Sequence, residues 1–439
     1  MQDAAQITAG ATAETGRTTV AKVSWRLLPF VLLLYVIAWL DRVNIGFAAL
    51  QMNQDLGFDD AVYGFGAGVF FLGYFLFEVP SNLILARVGA RLWITRIMIT
   101  WGVLSIAMMY VTGPWSFYSV RFLLGVAEAG FLPGILYYLG NWFPAAERAH
   151  AVSWFMLAIP LSSVVGGPLA GFILQLNGWH GLMGWQWLFL LEGAPAVVLG
   201  VVVWFYLTDT PEQATWLTQE QRHWLAERVA SEQRAANARH GVGLGKALLH
   251  PTVWLLAFIL FAGQTASYGL TLWIPQIVKS LSGLPTFEVS MISALPYVAA
   301  SIGMILIGAS SDRSGERLLH LAIPTAVGGL GFIASAYLAS PVPSIIALAV
   351  AAVGNTSTRG PFWALPTRFL TGTAAAGGIA LINTVASLGG FVGPYVIGVV
   401  RKLTGGFAGG LVFLAVLMLI GACAALFLRN APVLADRDT

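Results

Sequence analysis

Apolar residues occur along this chain in runs of about twenty, each closed by a short polar or charged segment. At a rise of 1.5 Å per residue, a helix of about 20 residues crosses the ~30 Å hydrocarbon core of a bilayer. Such runs stand near 27–47, 63–86, 94–112, 116–140, 150–174 and 187–207, and again near 252–273, 287–309, 318–339, 343–367, 375–400 and 407–428. The pattern predicts six membrane-spanning helices, a polar interruption and six more. The first 24 residues, rich in Ala and Thr, lack the continuous apolar stretch of a secretory signal. The first span is therefore expected to act as its own uncleaved insertion signal, preceded by a disordered tail over 1–24.

Composition agrees with this reading. Hydrophobic residues make up 57% of the 439 and charged residues 10%, against about 25% charged in soluble domains. An integral membrane protein is implied. With an even number of spans both termini lie on one side, and the basic residues say which. Of the 23 Lys and Arg, only Lys279, Arg401 and Lys402 fall on the far side, while Arg42, Arg121 and Arg359 fall within spans. All the others lie on the side of the termini, which is expected to be the cytoplasmic face of a bacterial-type inner membrane. The net charge of +3 comes from short loops spread along the chain, so no nucleic-acid partner is expected. Cys423 is the only cysteine, which excludes an intrachain disulfide and a thiolate metal site.

The expected organisation is a tail over 1–24, a six-helix bundle over 25–207, a cytoplasmic linker over 208–250, a second bundle over 251–429 and a tail over 430–439. Within the linker, Trp224, Leu225 and Val229 share one side of a helical stretch. This predicts an amphipathic helix lying along the membrane surface or against the bundle.

The segment Arg121 to Pro144 reads as one spanning helix that carries an arginine and a carboxylate. Arg121 and Glu128 are seven apart and share a face, ~10 Å from each other along the axis. Each such charge costs on the order of 2.5–3.5 kcal/mol near the bilayer centre, so it is expected to face a cavity or a partner. An ion or substrate pathway follows. The alternative is a structural ion pair, or an arginine reaching the nearby headgroups.

An internal repeat runs through the chain. Arg87-Val88-Gly89-Ala90-Arg91 follows the second span and Arg313-Ser314-Gly315-Glu316-Arg317 the eighth, 226 residues later. Pro168 and Pro394, each after a glycine, keep the same offset, as do Gly134 and Gly360. Two homologous halves of six helices in parallel relation resemble the major facilitator superfamily, and Asp312-Arg313-x-Gly315-x-Arg317 looks like its signature loop. The resemblance implies an all-α membrane fold of twelve helices. It also implies a cytoplasmic gate containing Arg87, Arg91, Asp312, Arg313 and Arg317, with Ala86 standing where the first half's aspartate is expected. The Gly-Pro of the fifth span partly matches an antiporter signature of that superfamily. Its recurrence in the eleventh favours a packing role.

A narrower resemblance is carried by Asp41-Arg42-x-Asn44, by Glu78-Val79-Pro80-Ser81-Asn82, by Arg121 to Pro144 with Glu147-Arg148, and by Gly184-Trp185-Gln186-Trp187 leading to Glu192. Together these look like the anion:cation symporter family. The run Gly360 to Pro366 and the stretch from Asn383 to Pro394 are similar to its tartrate, phthalate, hydroxyphenylacetate and sugar-acid carriers. The resemblance implies Arg42 and Arg121 as substrate ligands and Asp41 and Glu128 as proton carriers. Tyr74, Asn383, Trp363 and Gln264 are further substrate-binding candidates.

Arginine suits a carboxylate because its planar fork donates two parallel charge-assisted hydrogen bonds. Counted from the span ends, Asp41, Arg42, Arg121 and Glu128 can meet in the far half of the membrane or at its midplane. Adjacent residues nevertheless point about 100° apart, so Asp41 and Arg42 cannot both face one partner. Arg42, Arg121 and Arg359 balance Asp41, Glu78 and Glu128. A bound monoanion would then require one proton, which motivates anion and proton moving together. Glu78 and Glu192 read as structural carboxylates, and Arg359 as a gate residue near the inner end of its helix. The second half has Ser267 opposite Asp41 and Gly354 opposite Glu128, so its contribution is neutral: Gln264, Ser267 and Tyr268, then Asn355, Thr356 and Ser357, then Asn383 and Ser387.

The expected function is import of a small organic carboxylate with protons, by alternating access, in a functional monomer without other cofactor. Exchange or export is the rival within transport. A non-transporting anion receptor would require a larger cytoplasmic domain, and no nucleophile-base pair, metal cluster or phosphate loop suggests an enzyme.

Overall fold

The computed structural model describes residues 2–238, 249–366, 370 and 372–428, almost entirely as α-helix. Among the described residues, twelve helices are long and apolar enough to cross a membrane. Helices 1 to 6 cover Glu14–Asp55, Asp60–Val88, Ala90–Tyr110, Pro114–Trp142, Ala145–Leu174 and Gly184–Tyr206. Helices 7 to 12 cover Pro251–Ser282, Thr286–Ser314, Leu318–Tyr337, Pro341–Ala364, Gly377–Thr404 and Ala408–Phe427. Each apolar run of the sequence has become one of these. The protein is a multi-pass membrane protein. Arg239, Lys246, Arg368, Arg429, Arg437, the expected tail over 430–439 and part of the linker lie outside the described residues.

Within the halves, helix 3 packs along helix 6 and helix 9 along helix 12; between them, helix 2 meets helix 11 and helix 5 meets helix 8. The halves close on each other at the side remote from the termini. There the Tyr63 hydroxyl donates to the Leu272 carbonyl at 2.6 Å, burying a hydrogen bond between helices 2 and 7. Gly64 of helix 2 passes so near helix 11 that a Cβ would come within 2.6 Å of the Pro394 carbonyl. Two ion pairs finish this seal: Asp60 with Arg401 at 2.7 Å and Asp59 with Lys402 at 2.8 Å. On the terminus side of Arg42, among the described residues, one hydrogen bond joins the halves, from Asn383 Nδ2 to Glu78 Oε1 at 3.4 Å. The polar contacts that close the halves on each other thus gather on the far side.

Two expectations are corrected. Helix 4 is not continuous over 121–144: it runs Pro114–Glu128, breaks, and resumes as Phe131–Trp142. Pro133 has no N–H to give the Ala129 carbonyl, four residues earlier, which instead accepts from Ser81 Oγ at 2.6 Å. Gly130 takes the left-handed φ of 85° at the joint. Helices 5 and 10 break likewise, after Met156 and Thr356, each a few residues before Pro160 and Pro361.

The expected disordered tail over 1–24 is also corrected, since helix 1 extends over Gln2–Asp55. Thr19 and Val23 are fully buried, and Thr15 Oγ1 donates to Glu220 Oε1 at 2.9 Å. Their partner is the linker helix, Gln219–Ala238. Its Leu225 and Val229 are buried in the core of the N-terminal half. Of the two placements open in the sequence, this helix takes the one against the bundle.

Candidate functional site

Helix 1 places Arg42 between the halves, 8% exposed. Its Nη2 forms an ion pair with Glu128 Oε1, itself 1% exposed. Its Nη1 donates to the Tyr268 hydroxyl of helix 7 at 3.2 Å. Trp39, Phe70 and Tyr74 turn their rings to the guanidinium, with centroids 5.3–5.6 Å from its carbon. The aromatic faces and the carboxylate offset part of the several kcal/mol that desolvating the guanidinium costs, while Arg42 Nε and Glu128 Oε2 keep no partner among the described residues. Glu128 is the last residue before the break in helix 4, so its carboxylate stands where the helix changes direction.

Asp41 faces away from this group, as the angular step along a helix requires. Its Oδ1 accepts from Ser105 Oγ and from Asn44 Nδ2, and its Oδ2 from Trp101 Nε1. The expectation that Asp41, Arg42, Arg121 and Glu128 meet is corrected here: Asp41 lies behind helix 1 against helix 3. Glu192, buried from helix 6, faces the same Asn44, with its Oε2 unpartnered.

Arg121 is 1% exposed and turned toward the far side. Its Nε and Nη2 donate to the Gly66 and Ala67 carbonyls of helix 2 at 3.3 and 3.2 Å, and its Nη1 has no partner. Helical side chains lean toward the N-terminus of their helix, which in helix 4 is the far side. The same lean in helix 10 lifts the guanidinium of Arg359 toward the middle of the membrane. There its Nη2 lies 3.3 Å from Gln264 Oε1 and 3.4 Å from Ser267 Oγ. Placing Arg359 at a gate is therefore corrected: its backbone is near the helix end and its charge is not.

Glu78, read from sequence as structural, is buried and meets Asn383 across the space between the halves. Tyr74 stands one helical turn from Glu78, on the same face. Trp363 packs edge-on to Phe362 beside the second core cluster rather than in this hydrogen-bonded set.

The signature loops hold together within their own halves. Arg317 Nη1 donates to Asp312 Oδ1 at 2.6 Å and to Ser311 Oγ at 3.0 Å. In the first half, where Ala86 replaces the acid, Asp209 beyond helix 6 accepts from the Arg91 backbone N–H at 2.8 Å, and its other oxygen lies 4.0 Å from Arg91 Nε. Arg87 and Arg313 are exposed. The loop acid Glu316 is pulled below the usual carboxylate range: partial burial pushes it up, but the backbone N–H of Leu319 and the His320 side chain and N–H outweigh that.

Sequence reasoning missed Tyr268 as Arg42's partner, although the two stand one repeat length apart. It also missed the seal, for which adjacent Asp59 and Asp60 opposite the few far-side basic residues were the available signal.

A charged, aromatic-walled site between two six-helix halves that are sealed together on the far side is the arrangement of a membrane transporter. The model of the Major Facilitator Superfamily matches residues 31–394, and the chain belongs to that family. It is 52% identical over 422 residues to a protein of Agrobacterium vitis named "Putative tartrate transporter", covering 95% of this chain and 93% of that one. It is 45% identical to the quinolone resistance transporter of Acinetobacter baumannii, covering 92% and 93%. It is 41% identical to the inner membrane transport protein RhmT of Escherichia coli, covering 94% and 96%. In fold it is similar to a bacterial homologue of the human lysosomal transporter Spinster, with a TM-score of 0.78 at 18% identity, covering 96% of this chain and 99% of that one.

Proposed function

We propose that the protein imports a small organic carboxylate together with protons across a bacterial inner membrane, as a functional monomer with both termini cytoplasmic. The observation that carries this is the buried Arg42–Glu128 pair at the meeting of the halves. Breaking a buried ion pair by removing one partner costs about 3–5 kcal/mol. A substrate carboxylate that takes over Arg42 leaves Glu128 buried without its counter-charge, and a proton on Glu128 restores neutrality. Anion and proton therefore bind as a unit, and neither charge crosses alone. Asp41, which the anion:cation symporter resemblance implies as a second proton carrier, holds its carboxylate toward helix 3 with Asn44, Ser105 and Trp101. Arg121 keeps Glu128's helix fixed against helix 2 and adds positive potential. The anion:cation symporter resemblance and the tartrate-named relatives support a carboxylate cargo, and the basic terminus side supports the orientation.

The quinolone-resistance relative favours one alternative, export or exchange driven by inward proton flow. Internal pH in proteoliposomes separates the readings. External addition of sugar acids, hydroxy-dicarboxylates or aromatic carboxylates should acidify the lumen beyond protein-free vesicles. Alkalinisation, or no excess change despite binding, would overturn proton-coupled import.

A further inference from the structure

Among the described residues, Arg359 is the one arginine of the three near the site that hydrogen-bonds neither a carboxylate nor a backbone carbonyl. Arg42 has Glu128, and Arg121 is engaged by helix 2 carbonyls. Arg359 has only the neutral Gln264 and Ser267, at the outer limit of hydrogen bonding, and remains half-buried. A guanidinium in a membrane interior is expensive and is kept where a partner is needed.

Its distance from Arg42 is set by helix 7. Tyr268 receives Arg42 and Gln264 receives Arg359, and these two residues are four apart on one face, about 6 Å along the axis. Tyr35 lies within electrostatic reach of Arg42, Tyr268, Glu128 and Arg359 alike. With Oε1 of Gln264 turned to Arg359, its amide N–H groups remain to donate between them.

We propose that Arg359 is the second anion subsite, and that the cargo is a dicarboxylate or comparable dianion held end to end by Arg42 and Arg359, with Gln264 donating to its middle. This rests on the organic-anion reading above and narrows it: a monocarboxylate would satisfy Arg42 and leave Arg359 bare. The subsite lies on the terminus side of Arg42. An anion approaching from the terminus side would meet Arg359 before Arg42, and one leaving toward that side would first loosen its Arg42 end.

Competition for binding and uptake in proteoliposomes tests it, with tartrate and malate as dianions and glycerate and lactate as monoanions. Wild type should prefer the dianions. Arg359→Gln should lower the dianion-to-monoanion affinity ratio about tenfold or more, and Arg359→Lys, which keeps charge without the fork, should lie between. A loss shared equally by both classes would assign Arg359 to gating or packing and overturn the subsite. An unchanged ratio, or a wild type without preference for dianions, would also overturn it. Wild type failing to bind any acid would overturn the organic-anion reading itself, so the two failures are distinguishable.

Discussion

Arg42 and Tyr268 are 226 residues apart, the offset that relates the two halves, and they are hydrogen-bonded to each other at 3.2 Å. A residue bonded to its own repeat counterpart sits where the two halves meet symmetrically. The equivalent positions have diverged: one holds the charge and the other a neutral oxygen to steady it. Tyr268→Phe keeps the ring and removes that acceptor. Hydrogen bonds to charged groups contribute about 1.5–3 kcal/mol, so anion affinity should fall about tenfold or more in equilibrium binding. Unchanged affinity would show that the contact does not orient Arg42.

Glu128→Gln keeps the shape of the Arg42 partner and removes its charge and its proton. Accumulation driven by a pH gradient should be lost while anion exchange across the membrane at equal pH continues. Full gradient-driven uptake in this variant would remove Glu128 from proton coupling.

Asp41→Asn keeps one acceptor oxygen and sets its NH2 at the other position, against either Trp101 Nε1 or Asn44 Nδ2, both of which donate to Asp41. Donor facing donor destabilises the contact between helices 1 and 3 by about 1–3 kcal/mol. A lower melting temperature is expected together with weakened pH-driven uptake, read by scanning fluorimetry and by flux. Asp41→Glu, restoring the charge, should recover coupling better than stability.

The Asp59–Lys402 part of the far-side seal should be indifferent to pH in the working range. The Asp59 carboxyl is held below its ordinary value by the hydrogen bond to Lys402, reinforced by the Val62 N–H. A lowered carboxyl contributes fully above its unfolded value of about 3.9 and is lost only as pH falls through the still lower folded one. Asp59 and Lys402 are 45% and 55% exposed, so the pair is screened and contributes at most about 1 kcal/mol. Spin-label distances between positions beside Asp59 and beside Lys402 should stay constant from pH 8 to 5, and Asp59→Asn with Asp60→Asn should widen the far side in part of the population. A pH-dependent opening in that window would contradict the assignment.

Arg121→Lys cannot span the Gly66 and Ala67 carbonyls with two planar donors. It should reduce both melting temperature and uptake. Loss of uptake with normal stability would instead move Arg121 into contact with the cargo.

The twelve spans were legible because length and hydropathy alone decide what crosses a bilayer. The repeat was legible because matched glycines and prolines survive divergence. The opposed directions of Asp41 and Arg42 followed from helix geometry. The joint after Glu128 was not read, since apolar composition continues through Ala129 and Gly130, although Pro133 was the available sign. Arg359 was misplaced by counting backbone height and ignoring how far a long side chain leans toward its helix N-terminus. The Asp59–Lys402 and Asp60–Arg401 pairs arise from tertiary closure of helix 2 on helix 11, which periodicity within either helix does not encode.

The linker helix belongs to one half. Its Trp224 covers Gly16, Glu232 accepts from the Ala145 N–H at 2.7 Å, and Trp216 just before it stacks on Trp142. Although it stands between the bundles in sequence, it is bolted to the first on three sides. A chain divided between Ala238 and His250 would leave it with that first bundle, and two separately expressed pieces would each carry a complete set of six spans. Functional rescue by such pieces needs no covalent bridge, because the surfaces that must find each other are the seal and the Arg42–Tyr268 contact.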